Sequence, residues 1–216
     1  MCGRFTLTAS EVDEVARSLS AEVDRAEALL YRPRWNVAPT EAHFIVELEC
    51  GRRVMRRARF GFCGRGGKTV VNARSESAAT LPLFRRAFGE RRCLIPADGF
   101  YEWQGGRAER RPLFFSRTGG GLLLFAGLAE GEGDHLAFVI LTTPANALLG
   151  AVHDRMPALL SPDGAKAWLA RGEKSLLAPA PEEWLTCREA SPRVNRVGND
   201  GPELLAPPPR QQLRLL

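Results

Sequence analysis

Five cysteines are scattered through the chain at positions 2, 50, 63, 93 and 187, and no two of them form a Cys-x-x-Cys pair. An odd, widely spaced set supports neither a disulfide framework nor a zinc site, so a reducing compartment is expected. Apolar runs are short as well. None approaches the ~20 residues of a membrane span, and residues 1–30 lack the apolar core of a secretory signal. A soluble, intracellular protein is the expectation. Lysine is scarce, occurring only as Lys68, Lys166 and Lys174. A phosphate-cradling loop is also missing, because Gly64-Arg65-Gly66-Gly67 has neither the Gly-x4-Gly-Lys spacing nor a following helical pattern.

Arginine is what the chain has in quantity. Lys and Arg total 30 against 25 Asp and Glu, a formal charge of +5 and a pI near 9.3. With so few lysines the excess is mostly arginine, whose planar fork suits phosphate oxygens. The balance favours an anionic partner, nucleic acid foremost. At 216 residues, 44% hydrophobic and 25% charged, the chain can bury a sizeable core as one large domain or two small ones. No repeat or linker divides it, and the reading is a single β-rich α+β domain.

The chain is organised around Met1-Cys2-Gly3-Arg4-Phe5. Cys2 is small enough for a methionine aminopeptidase to remove Met1, which leaves an α-amine and a thiol on adjacent carbons of one residue. The amine titrates near ~7.7–8.0, against ~10.4 for a lysine, so far more of it is nucleophilic at neutral pH. Attack on an aldehyde gives a Schiff base, and the thiol beside the new imine carbon can close a five-membered thiazolidine ring. The plainer alternative is a small buried hydrophobe near the chain start, the commoner fate of a free cysteine. The rest of the chain must decide between them.

Thr8-Ala9-Ser10-Glu11 has a capping-box pattern, and Val12, Val15, Ala16 and Leu19 follow at helical spacing, which predicts an amphipathic helix with one buried stripe. A second short helix is expected within 21–30. Trp35 to Thr40 reads as a turn before a strand over 43–49. A reversal at Gly51 leads to a strand over 52–62 bearing Arg52, Arg53, Arg56, Arg57 and Arg59, either a solvated face or a run of phosphate contacts. Asn72, Arg74 and Glu76 stand two residues apart after a β-branched pair. On a strand they share one face, which is a site or the polar outer side of an edge strand.

Phe84-Arg85-Arg86-Ala87-Phe88 predicts a short basic helical turn. From Cys93 an apolar strand breaks at Pro96, turns at Asp98-Gly99 and resumes as Phe100-Tyr101-Glu102-Trp103. Glu102, a carboxylate among three aromatics, is suited to shuttling protons or simply faces solvent. Trp103 is core, or a platform for an unpaired base. Three strands are expected over 113–116, 122–129 and 136–143, the last running into a helix capped by Thr143 with Pro144 first. His153 and Arg155 project together from an extended segment stopped by Pro157, and histidine is the natural acid/base at neutral pH. Ser161-Pro162-Asp163 opens another helix, 194–197 suggests a last strand, and the Pro-rich tail over 206–216 is expected to be loosely docked or disordered.

Five segments together resemble the SRAP family (SOS response-associated peptidase), whose members covalently capture abasic sites in single-stranded DNA. They are Met1-Cys2-Gly3-Arg4-Phe5, Trp35-Asn36-Val37-Ala38-Pro39-Thr40, Asn72-Ala73-Arg74-Ser75-Glu76, Arg92 through Trp103, and His153-Asp154-Arg155-Met156-Pro157. They fall in family order, with weaker likeness over 194–205. The resemblance implies one domain over 1–205 with a β-barrel-like core and flanking helices. It implies that Cys2 is the nucleophile, that Asn72 orients the N-terminus and bonds the sugar oxygen, and that Glu102 moves protons during Schiff-base formation. His153 would assist sugar opening and reversal. Arg4, Arg74 and Arg155 would hold phosphates, Arg85 would join the DNA-contacting set, and Trp103 would stack on a base.

The resemblance further implies single-stranded DNA with abasic sites as the partner, replication or repair proteins as further partners, a monomer in the cytoplasm at the nucleoid, and no cofactor or metal. One departure stands out. The family usually has Trp-Gly-Leu and a further tryptophan before the Asn-Ala-Arg segment, where this chain has Phe60-Gly61-Phe62; Phe60 can still stack, with less area. Two rival readings remain. One is an N-terminal-nucleophile amidohydrolase, since a terminal Cys-Gly also opens class II glutamine amidotransferases. The other is a non-covalent single-strand-binding module, which needs the arginines and Trp103 but not Cys2.

Overall fold

The computed structural model describes residues 2–106 and 110–207. Met1 and its expected removal, and the expected tail from residue 208 on, lie outside the described residues.

Strand β1 (Phe5–Leu7) is buried along its whole length. Helix α1 (Val12–Ser18) buries Val12, Val15 and Ala16, and Leu19 completes the stripe, as the spacing predicts. Its cap differs from the expectation. Glu11 occupies the N-cap without a side-chain bond, and Thr8 gives its N–H and hydroxyl to the Asp98 carboxylate instead. The stretch expected to form one helix splits into β2 (Ala21–Val23) and α2 (Arg25–Ala28), because the Asp24 side chain accepts from the Ala26 N–H and starts a new turn. Next come β3 (Arg34–Val37), β4 (Ala42–Glu49) and β5 (Arg52–Phe60). Cys50 and Gly51, both at positive φ, make the two-residue reversal that lets β5 fold back on β4.

Gly61, at φ +119°, ends β5 early, ahead of β6 (Phe62–Cys63), β7 (Thr69–Val70) and β8 (Asn72–Arg74). Helix α3 (Arg85–Glu90) leads into β9 (Arg92–Ala97), which runs through Pro96 instead of breaking there, and β10 (Gly99–Gln104) follows after one residue. The three further strands are present, the first longer than expected and the other two shifted by one residue: β11 (Arg111–Arg117), β12 (Leu123–Glu130) and β13 (Ala137–Pro144). Pro144 therefore ends a strand, and α4 (Ala147–Gly150) is capped by Asn146, whose side chain accepts from the Leu149 N–H. Then come β14 (Arg155–Pro157), β15 (Leu159–Leu160), α5 (Pro162–Arg171), capped by Ser161 as expected, and β16 (Leu185–Glu189). The expected last strand is a 3-10 turn over Pro192–Asn195.

The strands form two main sheets. One is antiparallel in the order β16-β11-β10-β1-β3. The other follows β14-β13-β12-β9-β4-β5-β2, with β8 and β15 joined to β13 and β12. Strand β5 also returns to β13 in parallel, through Ala137 opposite Arg59 and Phe138 opposite Phe60, so the path closes on itself. The closure is short. After Gly61 the chain peels away and β8 takes the same edge of β13, with Asn72 opposite Ile140. The β-rich α+β domain with flanking helices is as expected, but the sheet ring is not a clear barrel.

At β9, β12 and β13 the ring sheet is buried on both faces, which is why these strands read as continuous apolar runs instead of alternating ones. Along β13, Val139 and Leu141 face the helices, in one cluster with Val15, Phe88 and Trp168. Phe138 and Ile140 face the other way, in a cluster with Cys2, Phe5, Phe100 and Phe115 from the smaller sheet. Close packing of the smaller sheet also fixes a glycine: a Cβ at Gly99 would lie 2.1 Å from the Phe114 ring.

His43 lies between the sheets. Its Nε2 donates to the Pro96 carbonyl at 2.9 Å, and Phe5 meets its ring edge-on at 4.7 Å. Burial lowers its pKa from 6.5 to about 4. Protonation therefore favours the unfolded chain: the stability contribution is full above the ordinary histidine value and is lost as pH falls toward the folded one. We expect denaturant unfolding of the native protein to lose roughly 3 kcal/mol more between pH 7 and pH 4 than that of His43→Gln, which cannot titrate. Equal losses in the two proteins would show that His43 is not the sensor.

Candidate active site

Strand β1 carries the chain start into the space between the two sheets. Phe5 pairs with Phe100 of β10 and with Val37 of β3, and the Tyr101 N–H bonds the Arg4 carbonyl. Cys2 is thereby fully buried among apolar side chains, and its thiol lies 3.9 Å from the same Arg4 carbonyl. Pleating sorts the next strand. Phe100 and Glu102 face the cluster that holds Cys2, whereas Tyr101 and Trp103 face the opposite side, toward Val194 and Leu204. Glu102 is buried, not solvent-facing. Burial raises the Cys2 thiol well above its ordinary range, and the nearby Glu102 carboxylate adds to the rise.

Two other segments approach from the ring sheet. Asn72 pairs in parallel with Ile140, so it shares the face that packs on Cys2. Its Oδ1 is buried and accepts no hydrogen bond from the protein. Val152 packs on the same cluster and leads into His153. One His153 nitrogen, Nδ1, lies 2.9 Å from both the Arg155 N–H and an Asp154 carboxylate oxygen. Both bonds cannot hold at once: Nδ1 without a proton accepts from the amide, and Nδ1 bearing one donates to Asp154.

The expected DNA-contacting residues divide. Arg74 and Arg85 are exposed. Phe60 is a correction. It is fully buried and stacked on Phe138 at 5.0 Å, because the β5–β13 pairing brings the two rings together, so it cannot stack on a base. Arg155 is another. Only 9% exposed, its guanidinium forks onto the Glu76 carboxylate and also donates to Thr142, while its buried Nε has no acceptor in the protein. The expected strand face of Asn72, Arg74 and Glu76 is correspondingly shortened. β8 ends at Arg74, and Glu76 reaches Arg155 from the turn that follows.

Arg4 donates to Asn36 Oδ1 and to the Val194 carbonyl, both at 2.9 Å, and sits 5.8 Å from the Trp103 ring centre. Trp103 in turn donates to Asn195 Oδ1 at 2.6 Å. Asn36 and Asn195 are supports that sequence reasoning missed. Asn36 lay within a recognised segment without a role, and Asn195 had only the weak likeness near the C-terminal end as a signal. The described residues contain no group of histidine, cysteine and carboxylate side chains arranged to hold a metal, and no helix long and apolar enough to cross a membrane.

The fold and the site together define a β-rich α+β domain that buries Cys2 and Glu102 on one face, near each other. Comparison makes the class specific. A profile of the SOS response associated peptidase (SRAP) family matches residues 1–197, and the chain belongs to that family. Abasic site processing protein YoqW of Bacillus subtilis is 32% identical over 223 residues, covering 95% of this chain and 99% of its own. Abasic site processing protein YedK of Escherichia coli is 30% identical, covering 96% and 100%. A solved protein of Bacteroides thetaiotaomicron shares the fold with a TM-score of 0.82 at 20% identity, covering 95% of this chain and 99% of its own.

The Glu76–Arg155 pair has a pH signature. The Arg155 hydrogen bond holds the Glu76 carboxyl below its ordinary value. A depressed acid contributes stability that is complete above the ordinary carboxylate range and disappears as pH falls through the depressed value. Glu76 is partly exposed, so the effect is small. Thermal melts of Glu76→Gln should fall less steeply with acid than those of the native protein, and identical slopes would mean that the pair does not persist in solution.

Proposed function

We propose that the protein processes abasic sites in single-stranded DNA by capturing them covalently at Cys2. The reading is supported by the relatives named abasic site processing proteins. The observation that carries it is the burial of Cys2 and Glu102 near each other, facing a strand whose Asn72 Oδ1 has no partner within the protein.

Loss of Met1 creates the α-amine. Its nitrogen attacks the aldehyde carbon of the ring-opened sugar, and the aldehyde oxygen takes up a proton to give a carbinolamine. Glu102 delivers a proton to the departing hydroxyl and receives one from nitrogen, so one water leaves and an imine remains. The Cys2 sulfur then bonds the imine carbon while its proton passes to the imine nitrogen, closing the thiazolidine without any oxidation or reduction. The elevated thiol pKa suits this order, in which the amine attacks first and sulfur arrives with its proton. Asn72 orients the amine and the sugar oxygen, His153 assists sugar opening and reversal, and exposed Arg74 and Arg85 meet phosphates. Arg4 holds the Trp103 ring as a platform for a neighbouring base.

The test is a denaturing gel of the purified protein, its Met1 loss confirmed by intact mass, with a single-stranded oligonucleotide bearing one abasic site. We expect a shifted band only with the lesion, none with Cys2→Ala, and formation slowed about 100-fold in Glu102→Gln. Normal crosslinking by Cys2→Ala would sink the proposal. Glutamine hydrolysis without an adduct would favour the amidohydrolase, and salt-labile binding indifferent to Cys2 would favour plain strand binding.

A further inference from the structure

Asp98 is the single residue between β9 and β10, and those two strands belong to different sheets. It is the corner at which the chain passes from the ring sheet to the strand that carries Glu102. Its side chain turns toward the chain start. One carboxylate oxygen accepts the Thr6 hydroxyl, and the other accepts the Thr8 N–H at 2.5 Å and the Thr8 hydroxyl at 2.6 Å. The Asp98 N–H donates to the Thr6 carbonyl at 2.9 Å. One corner residue is thus tied through both its side chain and its backbone to the segment that Cys2 opens.

Strand β1 has little else to fix its register. It is three residues long, and its ladder to β10 has two register pairs, Phe5 with Phe100 and Thr6 with Gly99. Toward β3 the register shifts between Phe5 and Leu7, and the two side chains enter opposite clusters, Phe5 with Cys2 between the sheets and Leu7 on the helix side. A strand this short and irregular is weakly specified by pairing alone. Thr6 stands at the shift, and Thr6 is where Asp98 takes hold. Sequence order then carries the constraint to the site, because Cys2 lies just before Thr6 on one strand and Glu102 just after Gly99 on the other.

We infer that Asp98 is a positioning residue for capture: by holding Thr6 and Thr8 at the corner, its carboxylate sets the register of the Cys2 segment against β10 and with it the approach of Cys2 to Glu102. This rests on the abasic-site reading and adds to it a residue that acts through the backbone of β1. A contact that only stabilised the fold would leave a different kinetic mark. Its loss lowers the folded fraction, and so the amplitude of capture, while the folded molecules react at the native rate. Loss of register slows the folded molecules themselves.

The experiment follows single-turnover capture of a single-stranded oligonucleotide bearing one abasic site by the full chain, with rate and amplitude read separately from denaturing gels. Asp98→Ala should lower the saturating rate about tenfold and leave the half-saturating oligonucleotide concentration unchanged. Asp98→Asn, which keeps one acceptor oxygen, should recover part of the rate, and Thr8→Val should fall between the native protein and Asp98→Ala. Asp98 and Thr8 line an open cavity of about 560 Å³, so formate can reach the place of the missing carboxylate. At ionic strength matched with chloride it should speed Asp98→Ala and leave the native protein unaffected. Ser161→Ala, which removes the cap of α5, serves as the comparison for stability alone and should melt lower yet capture at the native rate. If Asp98→Ala does not fold, Asp98→Asn and Thr8→Val carry the same test. A native rate with only the amplitude reduced overturns the inference, as does a slowed rate that neither asparagine nor formate improves. The abasic-site reading is judged separately, by whether the native protein crosslinks at all.

Discussion

The pairing of β1 on both its edges is what the rest of the site depends on. A chain start is ordinarily the least ordered part of a domain, and the capture proposed at Cys2 requires the opposite. Here β10 and β3 hold β1 between them, Thr6 and Thr8 are bolted to the Asp98 carboxylate, and Phe5 is driven into the cluster between the sheets. The Thr6 hydroxyl reaches the same carboxylate through its other oxygen. Once these contacts form, Cys2 has little freedom left. The entropic cost of placing Cys2 is met by folding and would not recur at each step of the proposed capture.

Burying that end has an electrostatic consequence. In the low-dielectric space between the sheets, burial disfavours a thiolate, and a neighbouring carboxylate disfavours it further. A cysteine meant to attack as an anion would sit in the opposite surroundings, beside a cation or a helix N-terminus. The surroundings of Cys2 disfavour an attacking thiolate and support the proposed order, in which amine nitrogen attacks first and sulfur closes the ring. The same environment keeps the thiol away from solvent oxidants, which act on exposed thiolates.

Local features of the site were legible in the sequence, and long-range ones were not. The stripe of Val12, Val15, Ala16 and Leu19, the Ser161 cap of α5, and the singling out of Cys2 and Glu102 all follow from spacing or from short motifs. The misreadings have a common cause. Phe60 looked available to a base because nothing nearby in sequence announces that Phe138 will stack on it across a parallel pairing. Arg155 looked ready for a phosphate because Glu76, the anion it actually holds, lies far back in the chain. The capping box at Thr8 failed for the same reason, since Asp98 offered its hydroxyl and amide a stronger, charged acceptor. In each case a tertiary partner displaced the local one.

The arginine excess teaches the same lesson about charge. The basic run on β5 looks like a phosphate track, yet Arg56 bonds Glu49, Arg53 bonds the Leu19 carbonyl, Arg59 bonds the Gly61 carbonyl, and Arg52 faces Glu22. Arg91 forks onto Glu47, and Arg92 ties the Phe88 and Trp168 carbonyls together across α3 and α5. These guanidiniums serve the fold, where five donors in a fixed fork satisfy carbonyls that helix ends and strand turns leave open. A net charge of +5 therefore says that an anion is welcome without saying where it binds. A phosphate gains most from an exposed cation that no carboxylate has already neutralised, which counts against Arg155 and the ion-paired arginines of β5.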